Sequence, residues 1–349
     1  NTRTNAPAVT HVELVAGSSL DVHVAAKGGG SENKASFAAL NPGDDVADWV
    51  VRTVETLGAG WCPPGILGIG VGGTAEKAML LAKESLLQPI DMTDLLARGP
   101  RTAQEEMRVN LYRRVNALGI GAQGLGGLTT VLDVKIATYP VHAASMPVAL
   151  IPQCVADRHI GFRLDGSGPA GFVAPRTDDW PQVALDAGAD AIRVDLDRLT
   201  PAEVAGWRAG ETLLLSGRLL TGRDAAHKRL AAMLERGEDL PVDLKGRAIY
   251  YVGPVDAVAG EAVGPAGPTT STRMDPYTDI LLERTGLLVM IGKAERGDET
   301  VASIGRHGAA YLIAVGGAAY LVSKAVRSAK VIAFDDLGME AIHEFVVED

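Results

Sequence analysis

The sequence predicts an α/β fold in two domains, and three observations carry that expectation. Glycine is abundant at 41 residues while aromatic residues make up 5% of the chain, which suits tight strand-to-helix turns better than an aromatic-rich β-sandwich. Beyond residue 190, short apolar runs alternate with amphipathic stretches at helical spacing. Between them, "DGSGPAGFVAPRTDDWPQVALDAGAD" (165–190) shifts to glycine, proline and aspartate, the composition of a linker. This places an N-terminal domain at 1–165, a linker at 166–190 and a C-terminal domain at 191–349. A length of 349 residues at roughly 150 per domain agrees with that division.

Each element follows from local pattern. "AVTHVELVAGSSLDVHVAA" (8–26) reads as a β-hairpin, two alternating runs around Gly17-Ser18-Ser19, followed by the polar stretch "KGGGSENK" (27–34). "DDVADWVVRTVETLG" (44–58) has an aspartate at its start and apolar residues at helical spacing, so it is a helix. A cysteine loop comes next, "AGWCPPGILGIGVGGTAEK", then a helix from Thr74 to about Leu87 and another over 101–118. "GIGAQGLGG" (119–127) is a loop and "TTVLDVKIATYPV" (129–141) a strand. In the C-terminal half, "AIRVDL", "ETLLLSGRLL", "GRAIYYVGP", "LLVMIGK" and "AAYLIAVG" read as strands. The helices between them are "RDAAHKRLAAMLERG", "DPYTDILLERTG" and "DETVASIGRHG". The chain opens without methionine and closes inside a strand-like run, so both ends read as cut.

Composition excludes several classes of function. A net charge of −10 without a lysine–arginine cluster argues against nucleic acid and against an anionic membrane surface. No apolar run reaches the ~18 residues of a transmembrane helix, and no basic-then-apolar leader opens the chain. Two cysteines are too few for a disulfide scaffold, which points to a reducing cytoplasm. An anionic small substrate would need a local basic pocket working against the global field.

Three glycine-rich turns, Gly28–Gly30, Gly70–Gly73 and Gly124–Gly127, are candidates to cradle an anion. "GIGVGG" (68–73) before a helix is superficially a dinucleotide fingerprint, but Cys-Pro-Pro sits where the leading strand should be. Cys62 and Cys154 read either as small buried hydrophobes or as ligands to a metal or cluster. The prolines after Cys62 stiffen the backbone, and the glycines let other groups approach the sulfur. The basic pocket is supplied by Arg223, Arg273 and Lys293, each at the end of a strand or loop and set among Gly, Thr and Ser. His142 and His227 are candidates either for chemistry or for a structural role.

Taken in order, "NTRTNAP", "KGGGSENK", "CPPGILGIGVGGTAEK", "GLGGLTTVLDVKI", "VHAASMPVA", "QCVADR", "SGRLLTGRDAAHKRL", "IYYVGP", "GPTTSTRMDPY", "MIGK" and "DLGMEAIHEFVVED" cover nearly the whole chain. They resemble the class I, iron–sulfur fumarate hydratase and L-tartrate dehydratase family. The first half resembles the branch whose two domains are separate subunits, and "LGMEAI" through "VED" resembles the single-chain fumarases.

The resemblance implies a cluster-binding N-terminal domain, a substrate-binding C-terminal domain and an active site between them. It implies a four-iron, four-sulfide ([4Fe-4S]) cluster with Cys62 and Cys154 as its second and third cysteine ligands. The first belongs to an upstream Cys-Gln-Asp-Thr-Gly-type motif that these residues do not contain. It further implies hydration of fumarate, with Arg223, Arg273 and Lys293 holding the carboxylates and Gly30 offering a backbone N–H. His142 would stand beside the substrate, and Thr269 would be the base, assisted by Arg223 and by the aspartate of the upstream motif. A homodimer is implied as well. Tartrate dehydration and mesaconate hydration remain alternatives within the family. A cluster-free, non-catalytic protein is the alternative from another class, and a dinucleotide-dependent oxidoreductase is the third.

Overall fold

The computed structural model describes residues 9–154, 156, 158–171, 190–258, 260–316 and 318–348. "NTRTNAP" and all but the ends of the expected linker lie outside them. Contacts divide the chain into two compact units, one made of residues 1–26 and 158–183 and the other of 27–157 and 184–349.

The described part of the smaller unit is a two-stranded antiparallel ribbon. Strand β1 (Leu20–Ala25) pairs with β6 (His159–Leu164), Leu20 opposite Leu164 and Ala25 opposite His159. Arg163 clamps Asp21 across it, at 2.6 and 2.7 Å. The hairpin expected over 8–26 does not form among the described residues: 9–19 contain no strand. Val12 and Leu14 are 81% and 95% exposed, so the alternating run buries no face, and β1 finds a partner far along the chain.

In the larger unit the first sheet has the spatial order β2 (Ser36–Leu40), β5 (Met146–Gln153), β3 (Gly65–Gly72), β4 (Val131–Tyr139). Strands β3 and β4 are parallel, and β5 runs antiparallel to both β3 and β2. One face packs on α2 (Val46–Leu57), α4 (Met92–Arg98) and α5 (Ala103–Ala117), through Val50, Val54, Leu95, Leu111, Leu67 and Ile69. The other packs on α3 (Ala75–Ser85), through Ile66, Ala78, Ala82 and Ile151. Helix α2 starts where Asp45 accepts from Ala47 N at 2.7 Å, and α5 where Thr102 accepts from Glu105 N at 3.2 Å.

Strand β3 corrects the sequence reading, which gave this segment to a glycine loop. Its residues alternate, with Leu67 and Ile69 in one core and Ile66 in the other. The glycines face α3. A Cβ at Gly68 would stand 2.2 Å from Ala82 O, and one at Gly70 2.0 Å from Ala78 O. Backbone lies directly on backbone, so Gly68 and Gly70 serve packing, and of the candidate turn Gly70–Gly73 only Gly72 and Gly73, at φ 94° and 69°, lie at the turn into α3.

Behind this sheet sits an ionic quartet of three buried members, Arg108, Asp133 and Lys135, and the partly exposed Asp91. Asp133 and Lys135 on β4 are 0% and 1% exposed. Lys135 Nζ meets Asp133 at 2.9 Å and Asp91 at 2.5 Å, and Arg108 pairs with Asp133 at 3.0 Å and also with Asp91. Two cations meet two anions, and Arg108 Nε also donates to Val134 O at 2.7 Å. The Arg108 hydrogen bond is the leading cause holding Asp91 below the usual carboxylate range, with Lys135 adding to it against burial.

The second sheet is mixed. Strands β7 (Ile192–Asp195), β8 (Leu213–Thr221), β9 (Ala248–Tyr250), β10 (Val289–Gly292) and β11 (Ala310–Ile313) run parallel. β13 (Ile342–Val347) returns antiparallel beside β8, and β12 (Val326–Ala333) pairs with it. Helix α6 (Pro201–Gly206) joins β7 to β8 and α7 (Asp224–Glu235) joins β8 to β9. α8 (Asp275–Thr285) precedes β10, and α9 (Asp298–Arg306) joins β10 to β11. This is the strand–helix alternation expected from the sequence. No helix among the described residues is long and apolar enough to cross a membrane.

Gly70→Ala should lower stability by about 3 kcal/mol, the upper range for forcing bulk into a packed site. A denaturant midpoint equal to that of the parent would contradict the backbone contact.

Candidate active site

Cys62 lies in the turn that enters β3. Its φ is 64°, a left-handed conformation unusual for any residue but glycine, and its N–H donates to Ala59 O at 2.9 Å. The side chain is 1% exposed. Lys293, next after β10, reaches across from the second sheet, and its Nζ donates to Cys62 Sγ at 2.5 Å. The Cys62 thiol is pushed up, first by its hydrogen bond with Cys154 and then by burial, while the Lys293 ammonium pulls the other way. The two cysteines, far apart in sequence, therefore share one place.

Glycines make that place possible. A Cβ on Gly30, in the short helix α1 (Gly29–Glu32), would stand 3.2 Å from Lys293 Nζ and 3.5 Å from Thr270 Oγ1. One on Gly316 would stand 3.1 Å from Cys62 Sγ. Lys293 is held by its backbone: its N–H donates to Thr269 O at 3.3 Å, and its carbonyl accepts from Ser271 N at 3.0 Å. Thr269 is 7% exposed and its own N–H donates to Tyr251 O at 2.7 Å. Thr270 Oγ1 reaches Gly60 O at 3.4 Å, a second tie between the two sheets.

The two arginines flank the start of α7. Arg223 donates from Nη2 to Glu340 Oε1 at 2.7 Å, while Glu340 Oε2 accepts from Ala225 N at 2.8 Å. One carboxylate thus fixes the guanidinium and caps the helix. Arg223 Nε is buried without a hydrogen-bond partner among the described residues. An unmet buried donor of this kind costs about 1–3 kcal/mol. Arg273 makes a bidentate pair with Asp224, at 2.8 and 2.5 Å.

Behind them, buried Arg296 donates to Asp275 at 2.6 Å and Thr278 at 2.7 Å and lies against Tyr251 and Tyr311. Tyr311 in turn donates to Ala294 O at 2.6 Å and accepts from the Ser271 hydroxyl at 2.8 Å, bracing the loop that carries Thr269 to Arg273.

The structure therefore brings together Cys62, Cys154, Lys293 and Gly30, with Thr269 on the adjoining backbone. His142 is exposed, accepts from Ala144 N at 3.2 Å, and among the described residues has no hydrogen bond or ion pair to Cys62, Lys293 or Arg223. His227 is a core residue. Its Nδ1 bonds Arg223 O at 3.0 Å, its ring stands edge-on to Tyr251, and burial pulls its pKa down to about 4. Sequence reasoning missed Gln123, Gly316, Glu340 and Arg296. Only Glu340 carried a signal, in the "LGMEAI" segment.

Comparison with known proteins then decides the family. The pattern described as "Fumarate hydratase (Fumerase)" matches residues 1–163, and "Fumarase C-terminus" matches residues 166–349. This chain belongs to the class I fumarate hydratase family. Over 372 residues this fumarase-family chain is 32% identical to the anaerobic class I fumarate hydratase of Escherichia coli K12 and 33% to the aerobic one. Each alignment takes in 100% of the present chain and 66% of the relative, so the chain spans just under two thirds of the length of these relatives. A putative L(+)-tartrate dehydratase subunit alpha of Methanocaldococcus jannaschii is 41% identical over 144 residues, covering 40% of this chain and 48% of that protein.

The pKa of His227 has a consequence for this fumarase-family fold. An unfolded histidine titrates near about 6.5 and the folded one near about 4. Between those values the unfolded chain binds more protons, so the contribution is present above pH ~6.5 and declines as pH falls, by at most about 3 kcal/mol. Unfolding midpoints from pH ~6.5 to ~5 should slope accordingly, and His227→Leu should flatten the slope. An unaltered slope would place the proton elsewhere.

Proposed function

We propose that this fumarase-family chain is a hydro-lyase that reversibly adds water to fumarate, giving (S)-malate. The observation that carries the reading is the meeting of Cys62 and Lys293 from separate sheets, at 2.5 Å, beside glycines whose Cβ atoms would fill the space. The residues suit a thiolate-held group: two cysteines side by side and an ammonium to balance charge. Among the described residues no group of three or more His, Cys, Asp or Glu could hold a metal ion, so these residues offer two sulfur donors. Cys62 and Cys154 would be two ligands of a [4Fe-4S] cluster, which when bound supplies a Lewis acid for a carboxylate and a hydroxyl.

The chain's own residues supply the rest. Hydration places OH on one alkene carbon and H on its neighbour. Proton removal in the reverse direction builds negative charge on the carboxylate next to that carbon, which preplaced cations stabilise. Arg273, Arg223 and Lys293 take this role. Their present carboxylate partners, Asp224 and Glu340, hold them in position until substrate arrives. Thr269 Oγ1 handles the carbon-bound proton; its hydroxyl is a weak base alone and needs the neighbouring cation. Gly30 offers its backbone N–H, and His142 would stand beside the substrate. A homodimer and a cytoplasmic setting belong to the same reading. The tartrate reading draws on the 41% identity to the tartrate dehydratase subunit alpha.

The decisive experiment is anaerobic fumarate hydration before and after iron–sulfide reconstitution, on this chain and on one extended upstream. Turnover that appears only on reconstitution supports the proposal. A cluster-bearing protein that ignores fumarate but dehydrates tartrate replaces the substrate, and failure of both forms to take up iron defeats the reading. Cys62→Ser and Cys154→Ser should abolish cluster absorbance, and full activity in metal-free Cys154→Ser would sink the mechanism. Arg273→Ala should keep the cluster and lose at least about 100-fold in kcat/KM, roughly 3 kcal/mol. Glu340→Gln, which keeps a partner for Ala225 N but drops the charge facing Arg223, should mainly raise KM.

A further inference from the structure

We propose that Gln123 is a positioning residue that sets the spacing between the Cys62 turn and the Gly316 loop around the Cys62 sulfur. Gln123 is 4% exposed and has φ 56° and ψ 17°, a left-handed conformation that costs a residue with a Cβ roughly 1–2 kcal/mol. Its loop is otherwise rich in glycine, which would adopt this backbone without that cost. The side chain explains the exception.

Both ends of its amide are used, each on a different loop. Nε2 donates to Pro63 O at 2.8 Å, where the backbone N–H of Gln123 also donates at 2.8 Å. Oε1 accepts from Gly316 N at 2.9 Å. The orientation is fixed by its partners, since a carbonyl requires the amide NH2 and a backbone N–H requires the amide oxygen. Pro63 follows Cys62 directly, and Gly316 follows β11 in the second sheet.

Length is what matters. A Cβ on Gly316 would lie 2.5 Å from Gln123 Oε1, 3.1 Å from Cys62 Sγ and 3.2 Å from Lys293 Cδ. Gly316 backbone, amide, sulfur and lysine stem are therefore one contact set, with Gln123 as the spacer. Asparagine tolerates the same backbone but is shorter by one carbon–carbon bond, about 1.5 Å, and cannot span the two loops. Glutamate has the length of glutamine and reaches both loops. The bearing of this spacer on turnover rests on the fumarate reading, but its geometry does not.

The test uses the metal-free chain as wild type, Gln123→Asn, Gln123→Gly and Gln123→Glu. Iodoacetamide labelling of Cys62 is followed by peptide mass spectrometry, and amide exchange is followed at the Gly316 peptide and, as a control, at β5. Asn and Gly should speed both Cys62 labelling and Gly316 exchange about tenfold or more while β5 exchange stays unchanged, and Glu should remain within about threefold of wild type. Equal Cys62 labelling in wild type and Gln123→Asn overturns the proposal. So does loosening that reaches β5 to the same degree, because that is the mark of a merely structural residue. None of these readouts needs turnover, so an enzyme that fails on fumarate removes the proposed substrate and leaves this result standing.

Discussion

The cysteine side of the molecule depends on one close approach, the backbone of β3 lying on the backbone of α3 with no side chain between them. Glycines at 68 and 70 permit it, and Leu67 and Ile69 on the opposite face anchor the strand in the larger core. With β3 fixed from both sides, the turn at its entry is fixed as well, and Cys62 is carried at a left-handed φ into a buried position. From there Lys293 can meet it without displacing either sheet. The glycine-rich stretch that looks from its composition like a phosphate cradle is a packing device.

The second theme is how an acidic protein keeps cations available. The chain carries a net charge of −10, yet its three candidate substrate-binding cations sit where strands end and helices begin. None is held by another cation's field alone. Glu340 orients Arg223, Asp224 orients Arg273, and the Cys62 thiol receives Lys293. Such pairs are exchangeable: an incoming carboxylate offers the same geometry to each guanidinium. The buried Arg223 Nε has no such partner among the described residues, which makes it the most costly of these donors to leave unmet.

Much of this was legible in the sequence, and the misses have physical reasons. The amphipathic helices at 46–57 and 103–117 and the alternating C-terminal elements follow from periodicity, because one face of each is buried. Cys62, Gly30 and Lys293 stood out as residues set in unusual loops, and they meet. Strand β3 was hidden by its glycines, and β5 by Pro147 and Pro152, which weaken a strand signal although the segment pairs on both sides. The N-terminal hairpin failed because alternation predicts a strand only where a face is buried. Gln123, Glu340 and Arg296 act through partners more than 15 residues away, and no local pattern announces a side chain whose purpose is set by tertiary contact.

The ionic quartet behind the first sheet has a consequence for how such a sequence can drift. Asp91, Arg108, Asp133 and Lys135 neutralise one another, and around Arg108, Asp133 and Lys135, all buried, water cannot take over for a missing member. Losing one charge strands another, whereas replacing an acid and a base together by apolar residues of similar volume leaves nothing stranded. The four positions therefore form a single heritable unit. Along a lineage they should stay fixed together or change in opposite-charge pairs, and a lone substitution at any of them should be rare.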